Sequence, residues 1–540
     1  NTSPGPDKFP SILLKQIIHT VSKPLTQILQ QTIDLNEIPS ILTSAIVCPI
    51  FKNGKDRHEP SSYRPVSLTS VIMRSFEKVI KKQLVSYFEG NSLINDSQHG
   101  FRKGRSCLTQ LLTHYDEVLR QIEEGNQVNV LYVDFEKCFD KIDFKILLNK
   151  LKLKGVHGKA YRWIKNFLTN RTFRVRVGEK LSDEENVVSG IPQGTCLGPL
   201  LMLVMNSDID TKIKNGKTGT LADDTKVTNV LKCNSDNTKM QEDLNSLEHW
   251  SEMNNVKMND DKFVLLCYNS NPQIINNHYS LKSGIVIQES KGTRDLGVWM
   301  SNDATFTEHI SNVTTSCKKI MSMIFRSFTS RDDQLMITLY KSLILSKIDY
   351  CSVLWNPTNL SDLRQLEGIQ ATYTNRMQCA KAEDSQKRNY WERLKYLKLY
   401  SIQRRFERYS VIFVWKIYHG IVFNPGIQFK NYDSRTGLPC VIPKYRSKLR
   451  WQSFIVNGPK LFNSLPKEIR EFPCDTLVPQ DQAIGKFKRR LDEYLTSIPD
   501  EPNRTSNYCS SISGISPNGE RTNSIIRTNV QSYTSDCYPL

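Results

Sequence analysis

The sequence predicts an α+β chain of several subdomains. Three observations carry this. Over residues 44–300, short apolar or alternating runs of strand length interleave with segments of helical spacing. From Phe306 to about residue 420, apolar positions recur at three-to-four spacing (Ile310, Val313, Cys317, Ile320, Ile324), which predicts helices. The chain has 540 residues and 39% hydrophobic content. At about 100–200 residues per domain, that is enough for three or four packed units.

The elements follow in chain order. Residues 1–10 are turn-rich, and Ile12, Leu13, Ile17 and Ile18 begin a helical pattern. Residues 44–51 read as a strand leading into the basic turn Lys52–Arg57, and residues 70–90 and 107–124 read as helices. Residues 127–134 form a continuous apolar strand, followed by a turn and a helix at about 143–153. Residues 172–178 and 185–190 suggest a hairpin. Ile191-Pro-Gln-Gly-Thr-Cys-Leu-Gly-Pro199 is a Gly/Pro loop feeding an apolar helix. Residues 218–230 alternate as strand–turn–strand, residues 236–254 form a helix, and residues 262–268 and 295–300 are strands. After Ile498 the composition turns to Ser, Asn, Thr and Pro, which predicts disorder over 497–540.

The formal net charge is +18, from 73 Lys+Arg against 55 Asp+Glu. Residues 497–540 hold three Arg and four acidic residues, so the excess lies upstream. A basic excess of this size favours a polyanionic partner, RNA or DNA. The 13 cysteines are scattered without C-x-x-C or Cys/His spacing, which argues against a zinc module and fits a reducing compartment. No apolar run approaches the roughly 18–20 residues of a membrane span, and Tyr409–Phe423 is interrupted by Lys416 and His419, as in a core helix. Asn170-Arg-Thr and Asn312-Val-Thr read as chance matches to the glycosylation pattern. The chain begins at Asn1 rather than Met, as a fragment or processed product would.

Chemistry concentrates in three aspartates. Asp134 follows the strand Val-Leu-Tyr-Val, and Asp223 and Asp224 sit at the tip of the second hairpin. Mg²⁺ prefers oxygen ligands and takes few carboxylates plus phosphate oxygens. Two such ions about 3.5–4 Å apart activate an attacking hydroxyl and stabilise a leaving oxygen. Strand-end carboxylates brought together by a fold therefore point to phosphoryl or nucleotidyl transfer. Taken singly, each of the three reads as an ordinary turn or strand-end residue.

The surroundings add ordered blocks. Asp134-Phe-Glu-Lys-Cys-Phe139-Asp140, Ser189-Gly-Ile-Pro-Gln193-Gly194-Thr and Leu221-Ala-Asp223-Asp224 follow one another. Lys262 and Leu296-Gly297 come next, and Lys52, Ser62-Tyr-Arg64-Pro and Gln98-His-Gly-Phe101-Arg102-Lys-Gly-Arg105 lie upstream. This order resembles the reverse transcriptase pattern. Within that group, Ser3-Pro-Gly-Pro-Asp-Lys, Leu339-Tyr-Lys-Ser-Leu-Ile-Leu-Ser-Lys-Ile-Asp-Tyr350 and Gly458-Pro-Lys-Leu-Phe-Asn-Ser-Leu-Pro466 resemble non-LTR (LINE-like) retrotransposons of the jockey type, over about residues 1–495.

The resemblance implies a right-hand polymerase: fingers over 1–125, palm over 126–300, a helical thumb over 301–420 and a C-terminal extension over 421–496. It implies an RNA-directed DNA polymerase using two Mg²⁺ ions, or Mn²⁺, with an RNA template, a DNA primer or target and deoxynucleoside triphosphates as partners. An upstream endonuclease domain, absent from these residues, and residence in the nucleus and in cytoplasmic ribonucleoprotein are further implications. It assigns Asp134, Asp223 and Asp224 to the metals and Lys262 to proton donation. Lys52, Arg64, Phe135, Phe139, Gln193 and Gly194 fall to the nucleotide, with Phe139 beneath the sugar where a ring excludes a ribose 2′-hydroxyl. Arg102, Arg105, Leu296 and Gly297 fall to template and primer.

Leu221 departs from the aromatic usual before Ala-Asp-Asp, and Met205-Asn-Ser-Asp-Ile and Asn375-Arg-Met also depart. These departures predict reduced activity in this copy. Two other readings stand beside the main one: a degenerate or co-opted copy that only binds RNA or DNA, and an RNA-dependent RNA polymerase, against which Ala222 and Phe139 argue.

Overall fold

A computed structural model describes residues 3–498 and 500, except 53, 137, 270–277, 358, 381–386, 431–438 and 476, together with 508–511 and 526–529. The chain opens with helices α1 (Ser11–Asp34) and α2 (Ser40–Thr43). The antiparallel strands β1 (Ala45–Phe51) and β2 (Tyr63–Thr69) follow, then α3 (Val71–Gly90), α4 (Cys107–Glu123), β3 (Gln127–Val133), α5 (Phe144–Leu153) and α6 (Gly158–Thr169). β4 (Thr172–Val177), β5 (Lys180–Leu181) and β6 (Glu185–Asn186) precede α7 (Gly198–Asn206), β7 (Lys217–Leu221), β8 (Asp224–Leu231) and α8 (Asp236–Met253). β9 (Val264–Tyr268), β10 (Glu289–Ser290), β11 (Gly292–Asp295) and β12 (Val298–Ser301) lead into α9 (Thr307–Ser327), and the described residues from there to Thr496 are mostly helical, apart from a longer connection between Tyr418 and Lys448.

The central sheet has the order β10-β9-β3-β8-β7. β3 lies in its middle, antiparallel to β8 on one side and β9 on the other. Alternation along β3 splits its side chains between two cores. Leu131 and Val133 pack with α5, α7 and α8 through Leu147, Leu201, Leu244 and Trp250. Val128 and Val130 pack with α4, α9 and the C-terminal helices through Leu111, Val118, Ile310 and Val414. A strand buried on both faces reads as a continuous apolar run, which is the pattern at 130–133, while the buried Gln127 donates to Asn129 Oδ1 at 2.9 Å. The second sheet, β2-β1-β4-β5 with β6 beside β4, carries the 52–62 turn at one end.

Several segments differ from the sequence reading. β4 pairs with both: its end, Arg176 and Val177, turns back onto β5, while its start, Thr172 and Phe173, pairs antiparallel with Asn186 and Glu185, the only strand residues of 185–190. Residues 295–300 are a hairpin turn, not one strand: Leu296 and Gly297 adopt φ +45° and +88°, and Asp295 pairs with Val298. α6 gave no distinct signal among its neighbours, although its buried face of Trp163, Ile164, Phe167 and Leu168 has helical spacing. In the segment expected to be disordered, Tyr508–Ser511 and Ile526–Asn529 pair as antiparallel strands β13 and β14; its other residues beyond 500 lie outside the described ones. Among the described residues no helix is long and apolar enough to cross a membrane.

The C-terminal part is welded to this frame. In the helix Ile402–Tyr418, Trp415 stacks on Phe487 of the last helix, with ring centroids 4.3 Å apart. Arg450 is 6% exposed and ion-pairs with Asp116 of α4. A buried pair of this kind makes loss of one partner costly, because the other charge stays buried.

Candidate active site

Strand register builds the site. Val133 pairs with Thr225, so the next residue on β3, Asp134, comes out opposite Asp224 on β8. Leu221 pairs with Asp224, leaving Ala222 and Asp223 as a two-residue turn. Directly paired residues share a face of the sheet, so Tyr132, Asp134, Asp224 and Lys226 point into one cleft. This cleft is about 320 Å³ and is closed by Gln110 of α4 and the Leu296-Gly297 turn.

The turn itself is strained. Ala222 has φ +62°, a conformation that favours glycine. Side chains from elsewhere hold it there. Gln98 Oε1 accepts from Ala222 N at 3.0 Å and from Gly100 N at 2.7 Å, while Asn206 Nδ2 donates to Ala222 O at 3.0 Å. Gly100 is required because a Cβ there would lie 2.5 Å from Ala222 N. Sequence reading placed Gln98 only within an upstream block and took the Asn206 segment for decay. Neither spacing showed that both residues grip the same peptide.

The three carboxylates feel one another. Desolvation first, then the Asp134 charge, pushes the Asp223 carboxyl up, against a weaker pull from the Arg64 guanidinium. Asp224 is pushed up to about 6, first by desolvation and then by Asp223, Asp295 and Asp134. Asp134 is compensated: Lys262 Nζ donates to its Oδ2 at 2.8 Å and Asn259 Nδ2 donates at 3.2 Å. Lys262 thus holds a cation on a carboxylate of the cluster. Among the described residues no three His, Cys, Asp or Glu side chains close on one point as an ion cage. An ion that takes only one or two carboxylates and completes its shell with phosphate and water, as Mg²⁺ does, fits this donor set.

Beneath the cleft lies a buried ion pair. Lys226, two residues past Asp224, donates to Asp295 Oδ2 and, at 3.1 Å, to Gln110 Oε1. The side chains are 3% and 7% exposed. The pair therefore joins the aspartate strand to the residue just before the Leu296-Gly297 turn. Tyr350 Oη fixes that turn from the other side by donating to Leu296 O at 2.7 Å.

On the far side of Asp134, the Gly-Ile-Pro-Gln-Gly loop packs against the Phe139-Asp140 turn. Ile191 N donates to Phe139 O at 2.7 Å, Gln193 Nε2 to Asp140 Oδ1 at 3.0 Å, and Ser67 N of β2 to Gln193 O at 2.7 Å. Gly194 has φ +111°, and a Cβ there would meet Ser67 O at 2.7 Å. The buried Glu77 carboxylate accepts from Leu197 N at 2.8 Å and anchors the start of α7. Phe139 is half-buried. The structure thus gathers Phe139, Gln193 and Gly194 at one wall. Arg64 is exposed on β2, and Lys52 Nζ donates to Ser61 O at 3.2 Å.

Three assigned residues do something else. Phe135 is 5% exposed and packs on Trp250 with centroids 5.6 Å apart, so it is core and presents no ring to a nucleotide. Arg102 makes a forked pair with Glu89 at 2.9 and 2.7 Å and donates to Asn95 O at 2.7 Å. Arg105 pairs with Asp96 at 2.5 Å and lies 4.0 Å from the Phe423 ring centroid. Their donors staple the loop before α4, because carboxylates within the same chain reach them first. Both guanidiniums are thus engaged within the chain.

Two outcomes follow from this geometry. Gln98→Ala leaves the buried Ala222 N–H unpaired and lowers unfolding free energy by about 2 kcal/mol in denaturant titration. Asp224 binds its proton more tightly folded than unfolded, so its charge costs stability as pH rises from about 4 through about 6. Asp224→Asn therefore stabilises the metal-free protein at pH 7, by on the order of 1 kcal/mol given its exposure and screening. The gain in Tm disappears below about pH 4.

Comparison with known proteins agrees with the site. The family model described as Reverse transcriptase (RNA-dependent DNA polymerase) matches residues 50–300. The chain is 26% identical over 379 residues to the probable RNA-directed DNA polymerase from transposon X-element of Drosophila melanogaster, covering 68% of this chain and 41% of that one. It is 25% identical over 390 residues to the RNA-directed DNA polymerase from mobile element jockey of the same organism, covering 69% and 42%. The chain thus spans about two-fifths of the length of these relatives. Among solved structures, apo telomerase from Candida Tropicalis aligns over 75% of this chain and 70% of that chain, with TM-score 0.39 and 11% identity, a likeness too slight to carry any geometry. Residues 50–300 are a reverse transcriptase domain, and the chain is similar to the RNA-directed DNA polymerases of non-LTR retrotransposons such as jockey and X-element.

Proposed function

We propose that this chain is an RNA-directed DNA polymerase that adds deoxynucleotides to a DNA 3′-hydroxyl on an RNA template, in the setting of target-primed reverse transcription. The observation that carries the reading is the register that sets Asp134 opposite Asp224, with Asp223 in the adjoining turn. Two Mg²⁺ ions, or Mn²⁺, held by Asp134 and Asp223 with Asp224 in support, would lower the charge on the reacting oxygens. The primer 3′-hydroxyl gives up its proton to solvent water, its oxygen bonds to the α-phosphorus, the α–β bridge breaks, and pyrophosphate leaves.

The chain's own residues do the positioning. Arg64 and Lys52 offset triphosphate charge. The Phe139 ring lies where bulk at the sugar rejects a 2′-hydroxyl. Gly194 lets the backbone approach the base pair closely, and Gln193 steadies the Asp140 turn beside it. Lys262, once it leaves Asp134, donates a proton to the departing pyrophosphate. The Leu296-Gly297 turn supports the primer end. Leu221 offers that end no ring to stack on and no hydroxyl, so turnover is reduced while metal binding is kept. We assign residues 1–125 to fingers, 126–300 to palm, 301–420 to thumb and 421–496 to the C-terminal extension. We also assign the protein to the nucleus and to a cytoplasmic ribonucleoprotein, with an endonuclease domain upstream as partner.

The test is primer extension with a DNA primer on poly(rA), deoxynucleotides and Mg²⁺. Wild type extends, Asp223→Asn loses at least a thousandfold, and Phe139→Ala admits ribonucleotides. Template binding without extension, unaffected by Asp134→Ala, would instead support a protein that only binds nucleic acid.

A further inference from the structure

A second surface has nucleic-acid chemistry, and it lies away from the cleft. It is built by residues 440–463, which contain five basic side chains (Lys444, Arg446, Lys448, Arg450 and Lys460) and no acidic one. Tyr445 and Trp451 are 42% and 38% exposed. The other six tryptophans are buried or half-buried. Lys460 Nζ lies 4.3 Å from the Tyr445 ring centroid and 5.2 Å from that of Trp451, and donates to Tyr445 Oη at 3.2 Å. One ammonium thus sets the spacing of two exposed rings. Lys444, Arg446 and Lys448 are exposed around them.

The platform is rigidly mounted. Glu123, at the end of α4, accepts from Ser447 N at 2.7 Å and from Arg446 N. Ser447 Oγ caps the helix Lys448–Gln452 by accepting from Arg450 N at 3.1 Å. Arg450 enters the buried pair with Asp116. The neighbouring carboxylates Glu123 and Asp116 are therefore taken up by the mount, and the exposed cations keep their field. Gln110 in the cleft is thirteen residues from Glu123 along α4, about 20 Å at 1.5 Å per residue. Neither Tyr445 nor Trp451 lines the cleft.

We propose that Tyr445, Trp451 and Lys460, with Lys444, Arg446 and Lys448, form a stacking platform for single-stranded nucleic acid outside the polymerase cleft. Aromatic rings beside cations are the arrangement that holds unpaired strands, the bases stacking and the cations tracking phosphates. Charge alone would bind duplex equally well and would not call for two exposed rings. A single strand reaches this surface as template RNA not yet copied or as a displaced DNA strand.

The probes are 20-nucleotide oligo(rU) and oligo(dT), a 20-base-pair duplex and phosphatidylserine vesicles, each titrated against the full chain. The readouts are tryptophan fluorescence and filter binding. Both single strands quench fluorescence, and whichever binds more tightly identifies the natural strand. Trp451→Phe abolishes the quench while binding remains. Tyr445→Ala/Trp451→Ala weakens single-strand binding at least tenfold, with a Tm matching wild type. If that double variant unfolds, Trp451→Phe alone decides through the quench. Unchanged affinity in the double variant, equal binding of the duplex, or quenching by vesicles and not by oligonucleotides overturns the proposal. The assay reads binding alone, so its failure is separable from failure of the polymerase reading, which extension tests.

Discussion

Like charges that repel one another are held in one cleft, and the surrounding structure is arranged to keep them there. The antiparallel pairing of β3 with β8 leaves Asp134 opposite Asp224 with no freedom to slide, because a one-residue slip would turn Leu131 and Val133 out of their core. Burial of both faces of β3 thus fixes the position of a carboxylate at its end. The register also puts Asp223 in a two-residue turn directly before Asp224, too short to spread the charges apart. Ala222 takes up the strain of that turn, and Gln98 and Asn206 satisfy its backbone. The Lys262 ammonium partly balances the charge. A site with this excess of oxygen donors is prepared for cations.

The same constraint explains where basic residues went. Lys226 is buried because the aspartate strand needs a fixed relation to the Leu296-Gly297 turn, and its pair with Asp295 provides it. Arg102, Arg105 and Arg450 are drawn into pairs with Glu89, Asp96 and Asp116, which brace α4 and the loop before it. α4 then acts as a strut: its first turns close the cleft and its last turn carries the exposed aromatic platform. These pairs are neutral overall, so the formal net charge of +18 rests on basic residues outside them.

Much of this was legible in the sequence, for identifiable reasons. The mainly apolar run ending at Val133 is a buried-strand signal, the alternation around Asp223 is a period-two signal, and residues 236–253 form the predicted helix. The aspartates, Phe139, Gln193 and Gly194 came from motif order, and the fold gathers them. What stayed hidden depends on long-range pairing. Nothing local to Gln98, Asn206 or Glu77 reveals the peptide each one holds, 124, 16 and 120 residues away. Phe135 follows Asp134, and motif position alone could not show that its ring turns to Trp250. An arginine in a basic block likewise reads as a phosphate ligand until its carboxylate partner is located.

The claim at the centre of this account is that the three aspartates form a divalent-cation site whose mutual repulsion the ion relieves. Thermal unfolding with increasing Mg²⁺ tests it most directly, because the readout needs neither template nor primer. The account predicts that Mg²⁺ raises the Tm of the wild type at pH 8, that the effect fades as pH falls through about 6 where Asp224 takes up its proton, and that Asp223→Asn removes it. A wild-type Tm indifferent to Mg²⁺, or an equal rise in Asp223→Asn, would contradict it.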